Sequence, residues 1–109
     1  MCAVPLAAGA PTATKINSVA ADSLGARLAG ALPFAILRDR VERVVLVSDS
    51  AILEAQRRIW HEFNVVVEPG GATAYAALMS GAYAPGPAER VGVLLCGGNA
   101  DLADFAKRA

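Results

Sequence analysis

Net charge, thiols and imidazoles are all scarce in this chain of 109 residues. Ten basic and ten acidic side chains cancel, so no strongly one-signed balance points to a nucleic acid or an anionic membrane as partner. One histidine and two cysteines, Cys2 and Cys96 at opposite ends, are too few for a zinc site, and no metal is expected. Nothing in the pattern supports a disulfide between them, and a reducing cytoplasm is the simpler expectation. Residues 1–13 are small and apolar but lack the positive start of a signal peptide. The longest apolar run, residues 28–37, contains Gly30 and Pro33 and is far short of a membrane span. The expected protein is soluble and cytoplasmic.

What is abundant is apolar surface. Hydrophobic residues make up 55% and charged ones 18%, richer in apolar side chains than a usual domain of this size. The length allows one core and not two. Such a balance implies apolar surface destined for another domain or subunit.

Residues 1–22 show no hydrophobic period, only Ala, Gly, Pro, Thr and Ser in the main, and are expected to form an irregular lead-in. Pro33 suits the first turn of a short helix that ends near Arg40. Val44-Val45-Leu46-Val47 is apolar on both faces and mostly β-branched, as in a buried parallel-type strand. Ser48 or Asp49 can cap the next helix, where Ile52, Ala55, Ile59 and Phe63 form one stripe. Glu54 and Arg58 are placed there as an i,i+4 pair, and His61 falls on the wet face. After a brief Val65-Val66-Val67 comes Glu68-Pro69-Gly70-Gly71, then a helix over residues 72–80 that is apolar all round and belongs inside a larger body. Pro85-Gly86-Pro87 marks a loop, and Asp101 can cap a last helix running toward Arg108.

Between them, Arg90-Val91-Gly92-Val93-Leu94-Leu95 runs directly into Cys96-Gly97-Gly98-Asn99. Ligands of open α/β sheets settle at strand C-termini. Paired glycines let backbone approach a flat ligand, and a Cys at the strand tip can hydrogen-bond a ring nitrogen. The plain alternative is a packing Cys followed by a tight turn. Glu68, at a helix start, can cap backbone N–H groups or face the same ligand. Asn99 and Asp101 read as turn and cap residues. Alternating strands and helices give an α/β class, yet two strands cannot hold a sheet alone, so the unit is expected to be incomplete.

Four pieces in order carry a resemblance to a known family: Ala21-Asp22, Val47-Ser48-Asp49, Val67-Glu68-Pro69-Gly70-Gly71-Ala72 and Leu95-Cys96-Gly97-Gly98-Asn99. The chain resembles the C-terminal part of pyridoxal-phosphate-dependent threonine/serine dehydratases, the serine racemase-like branch of the tryptophan-synthase-β-like enzymes. The resemblance implies the C-terminal portion of a fold-type-II enzyme, with parallel-type strands flanked by helices over residues 23–109. It implies pyridoxal 5'-phosphate as cofactor, with Cys96, Gly97, Gly98 and Glu68 as its neighbours and Cys96 at the pyridine nitrogen. An ordinary thiol is neutral near pH 7, and such a partner leaves the ring less electron-poor than a carboxylate would. The implied activity is an ammonia-lyase that turns a small hydroxy amino acid into a 2-oxo acid and ammonia.

The family's reactive lysine, its Ser-Gly-Asn-His-type substrate loop and its glycine-rich phosphate cradle have no counterpart here. Lys15 and Lys107 are the only lysines, and neither has that neighbourhood. The acidic cation ligands of some relatives are missing too, and Ala51 stands where an acidic residue is common. By length this is about a third of a usual member. No catalytic residue is therefore assigned. The expected partner is the missing N-terminal portion or a homologous subunit, and the alternatives are a split-enzyme subunit or a non-catalytic interaction module.

Overall fold

The computed structural model describes residues 7–107. The helices whose full extents are described are α1 (Ala21–Leu24), α2 (Ala31–Arg40), α3 (Asp49–Phe63), α4 (Pro69–Met79) and α5 (Leu102–Ala106). Cys2 lies outside the described residues, as does Arg108. No helix among the described residues is long and apolar enough to cross a membrane.

Helix α3 is built as its sequence dictates at both ends. Ser48 is the N-cap, its Oγ accepting the Ala51 N–H at 3.2 Å. Asn64 ends the helix in the left-handed region with φ 55°, which short polar side chains tolerate best after glycine. The buried face is Ile52, Ala55, Gln56 and Ile59. Phe63, expected on that stripe, is 53% exposed and meets Tyr75 edge-on instead. The surface ion pairs also differ from the expected Glu54–Arg58 pair: Arg57 takes Glu54, and Arg58 pairs with Glu62 at 2.9 Å. Carboxylates lie within reach of both arginines on the helix surface, so a one-residue shift of register costs little.

Helix α4 begins at Pro69 rather than Ala72, because proline at the first helical position gives up only an N–H that has no helical partner. Gly71, Ala72, Ala76 and Ala77 are buried on it. With side chains this small, α3 and α4 pack closely: Ala55, Ile59, Ala72 and Ala76 are all fully buried, joined by Ala20, Ile52 and Val67. Val47, Tyr75, Met79 and Leu95 close the margins of this core.

The α/β sheet expected from the sequence is not formed among the described residues. Residues 44–47, 65–67 and 90–95 carry no strand ladder. Exposure along 44–47 and 93–95 alternates with a period of two: Val45, Val47, Val93 and Leu95 are half-buried, whereas Leu46 and Leu94 are 75% and 76% exposed. One side of each segment therefore turns toward the α3–α4 core and the other is exposed among the described residues. Parallel strands depend on cover at both faces and on neighbours to bond, and among the described residues these segments have neither. Helix α2 packs against none of the other described helices, and Leu32 and Ile36 on it stay exposed.

Candidate functional site

The loop ahead of α4 and the segment that carries Cys96 come together through backbone contacts. The Glu68 N–H donates to the Gly97 carbonyl at 2.8 Å. Gly97 sits at φ +80°, a conformation that favours glycine, and a Cβ there would overlap the Glu68 carboxyl group. Gly71 is equally constrained, since a Cβ on it would overlap the carbonyl oxygen of Cys96. Gly70 donates its N–H to Ser23 Oγ at 3.1 Å, which ties the Ala21–Leu24 turn to the same place. The sequence pieces around Asp22, Glu68 and Cys96 are thus brought into one neighbourhood.

Each expected site residue can now be placed. Cys96 is exposed and its thiol is free. Gly97 is pinned against Glu68. Gly98 has open space where a Cβ would stand, so no local packing demands a glycine there. Glu68 is the N-cap residue of α4, yet its side chain makes no capping hydrogen bond; of its two expected roles, the cap is not taken up. Asp101 caps α5, its Oδ1 accepting the Ala103 and Asp104 N–H groups at 2.9 and 3.0 Å. His61 is exposed. No group of three or more His, Cys, Asp or Glu among the described residues could hold a metal ion.

One residue escaped sequence reasoning. Gln56 is 2% exposed, donates Nε2 to the Val67 carbonyl at 2.7 Å, and leaves Oε1 without a partner among the described residues. Its place on the Ile52–Ile59 side of α3, one position after Ala55, was the available signal.

A family model described as "pyridoxal-phosphate dependent enzyme" matches residues 1–97. The chain belongs to this family. It is 42% identical over 87 residues to phenylserine dehydratase from Ralstonia pickettii, covering 80% of this chain and 27% of that protein. It is 36% identical over 91 residues to serine racemase from Arabidopsis thaliana, again over 80% of this chain and 27% of the relative. Among solved structures, maize serine racemase superposes with a TM-score of 0.82 at 32% identity, over 97% of this chain and 33% of that one. Serine racemase from Dictyostelium discoideum superposes with a TM-score of 0.76 at 29% identity, over 91% and 31%. The chain thus spans about a quarter to a third of the length of the proteins it matches.

The residues present are compatible with a flat heteroaromatic cofactor along one edge. Cys96 offers an accessible thiol next to Gly97, and the Glu68 carboxyl group stands beside that glycine. An aldehyde-bearing cofactor also needs an amine and a cradle for its phosphate, and the Cys96–Gly97–Glu68 edge contains neither.

Proposed function

We propose that residues 23–109 are the C-terminal part of the large domain of a pyridoxal-phosphate-dependent ammonia-lyase for hydroxy amino acids, preceded by a lead-in over residues 1–22. The net reaction is conversion of a threonine- or serine-like substrate to a 2-oxo acid and ammonia. Pyridoxal phosphate, when bound, withdraws electron density from the reacting carbon. Cys96 provides the hydrogen-bonding group at the pyridine nitrogen, Gly97 and Gly98 allow the backbone close to the ring, and Glu68 lies alongside. The reactive lysine and the phosphate-binding loop come from outside these 109 residues, and the complete enzyme works in the cytoplasm. The observation that carries this reading is the convergence of Cys96, Gly97 and Glu68 in a chain of this family.

A chimera with the N-terminal portion of a related dehydratase tests it. Cys96→Ser should keep dehydratase activity, because a hydroxyl offers the same neutral hydrogen bond. Cys96→Asp should lose most of it, since a carboxylate favours a protonated ring nitrogen. Cys96→Ala should lie between, at a cost of roughly 1 kcal/mol for one hydrogen bond. Equal behaviour of all three in an active chimera would make Cys96 a packing residue.

A second reading, a split-enzyme subunit or interaction module, is favoured by the exposed Leu32, Leu46 and Leu94. The neighbouring coding sequence separates the two: an adjacent frame with a Ser-x-Lys motif and a glycine-rich loop indicates a split enzyme.

A further inference from the structure

A cavity of about 290 Å³ opens between α3, the Asp22–Ser23 turn and the loop leading into α5. Cys96 and Gly97 do not line it. Its walls hold the carboxyl groups of Asp22, Glu68 and Asp101 and the side-chain amide of Asn99, and among the described residues no Arg, Lys or His lines it. Gln56 lies in the same lining, with its Nε2 already committed to the Val67 carbonyl and its Oε1 unpartnered. A buried carbonyl oxygen without a donor is costly, by as much as a lost hydrogen bond. Ser23 supplies no free donor, since its hydroxyl donates to the Ala20 carbonyl at 3.4 Å while accepting from Gly70. The Asn99 side-chain amide, also in the lining, does not reach Gln56 Oε1 either. The cavity is rich in acceptors and carboxylates, with apolar surface from Val19 and Phe105 on its sides. Carboxylates alone would attract any cation; the orphaned amide oxygen asks for an N–H or O–H donor. The metal alternative is disfavoured by the spacing, which brings no three such ligands together among the described residues.

We propose that this cavity binds the ammonium head of a small primary amine, the N–H donors meeting Gln56 Oε1 and the carboxylates while a short alkyl tail lies against Val19 and Phe105. The cavity shares Glu68 with the proposed cofactor edge, but the inference rests on Gln56 and Asp22, which that reading does not use. Trp60 meets the Phe105 ring edge-on at 6.2 Å and is the only tryptophan, so its emission reports on occupancy.

The test titrates the full chain with propylammonium, tetramethylammonium and acetate at constant ionic strength, following Trp60 fluorescence and amide resonances. Propylammonium should give saturable shifts that include the Gln56 side-chain amide. Tetramethylammonium, which has charge but no N–H, and acetate should give none. Gln56→Leu should weaken propylammonium binding about tenfold, as for a charge-assisted hydrogen bond. Should that variant fail to fold, Asp22→Asn at the rim should weaken binding severalfold with the fold intact. Equal response to tetramethylammonium would reduce the site to diffuse charge attraction and overturn the proposal, as would the absence of saturable propylammonium binding.

Discussion

Glu68 and Gly97 hold each other by the main chain: the Glu68 N–H donates to the Gly97 carbonyl at 2.8 Å, and the Glu68 carboxyl group occupies the space where a Gly97 Cβ would stand. Two penalties act together on a substitution here, the positive φ of 80° and the steric overlap. Gly97→Ala should destabilise the chain by about 1–3 kcal/mol in urea unfolding. Combining it with Glu68→Ala should recover the steric share and leave the backbone share, a coupling that a double-mutant cycle reads directly. Gly98→Ala, one residue on, meets open space and should stay within about 0.5 kcal/mol of the parent.

Gly71→Ala should be worse than an ordinary glycine-to-alanine change within a helix. Alanine normally favours a helix interior by about 1 kcal/mol. Here the new methyl would overlap the Cys96 carbonyl, so the segment carrying Cys96 must move away from α4. The expected outcome is a net loss of stability together with faster reaction of the Cys96 thiol toward a thiol reagent. Stabilisation instead would show that the 90–96 segment is not seated on α4.

Much of the α3–α4 core could be read from residue periodicity, and the gaps have physical causes. Ser48 as N-cap and Ile52, Ala55 and Ile59 as the buried stripe follow from helix period and capping chemistry. Phe63 and Gln56 exchange places because burial at the end of the helix depends on what covers it. The Phe63 ring at the end of α3 meets Tyr75 edge-on and stays half uncovered, whereas Gln56 donates to the Val67 carbonyl eleven residues on. The extended segments lack strand ladders among the described residues for a related reason. Val44-Val45-Leu46-Val47 has the composition of a parallel strand, but composition states a preference and only neighbouring strands supply hydrogen bonds. The pairing of Glu68 with Cys96 and Gly97 follows from the family resemblance, whereas the Asp22–Ser23 turn beside them is seen only in the structure, because nothing in the spacing joins positions so far apart.

Ile59 is the largest fully buried side chain among the described residues, set among Ala55, Ala72 and Ala76 in the α3–α4 contact. Ile59→Ala should cost about 2–5 kcal/mol, enough to abolish a cooperative transition in a small domain. Phe63→Ala, at an exposed ring four residues later, should cost far less despite the larger volume removed. Thermal melts of the two variants followed by circular dichroism decide the order.

Acid should loosen the loop after α4. Glu89 accepts the Tyr83 hydroxyl and, through Oε2, the Gly86 N–H at 2.9 Å. Those hydrogen bonds, the Tyr83 one first, hold its carboxyl below the usual range. A group whose pKa is depressed by folding contributes stability above its unfolded pKa and loses it as pH falls through the folded value. Hydrogen exchange at the Gly86 amide should therefore quicken as pH drops below the ordinary glutamate range, after correction for intrinsic rates. Glu89→Gln should exchange faster at neutral pH and show no such acid step.

Leu46 and Leu94, the most exposed large apolar residues of the two longer extended segments, should drive the isolated chain to associate. A compact chain of this mass presents about 5,700 Å² to solvent, whereas this one presents 7317 Å². The difference, about 1,600 Å², is about twice what each partner buries in a standard-sized protein interface, about 800 Å². Unpaired segments with an apolar outer row are also templates for edge-to-edge pairing. Sedimentation should show concentration-dependent self-association with binding of a hydrophobic dye. Leu46→Lys with Leu94→Lys should lower both, because burying two lysines against a second copy is costly. Their effect on the α3–α4 core should be small, since neither side chain is part of it. A monomer at all concentrations, with a sharp melt and no dye binding, would mean that the uncovered faces are stable in water and that the chain is a self-sufficient module.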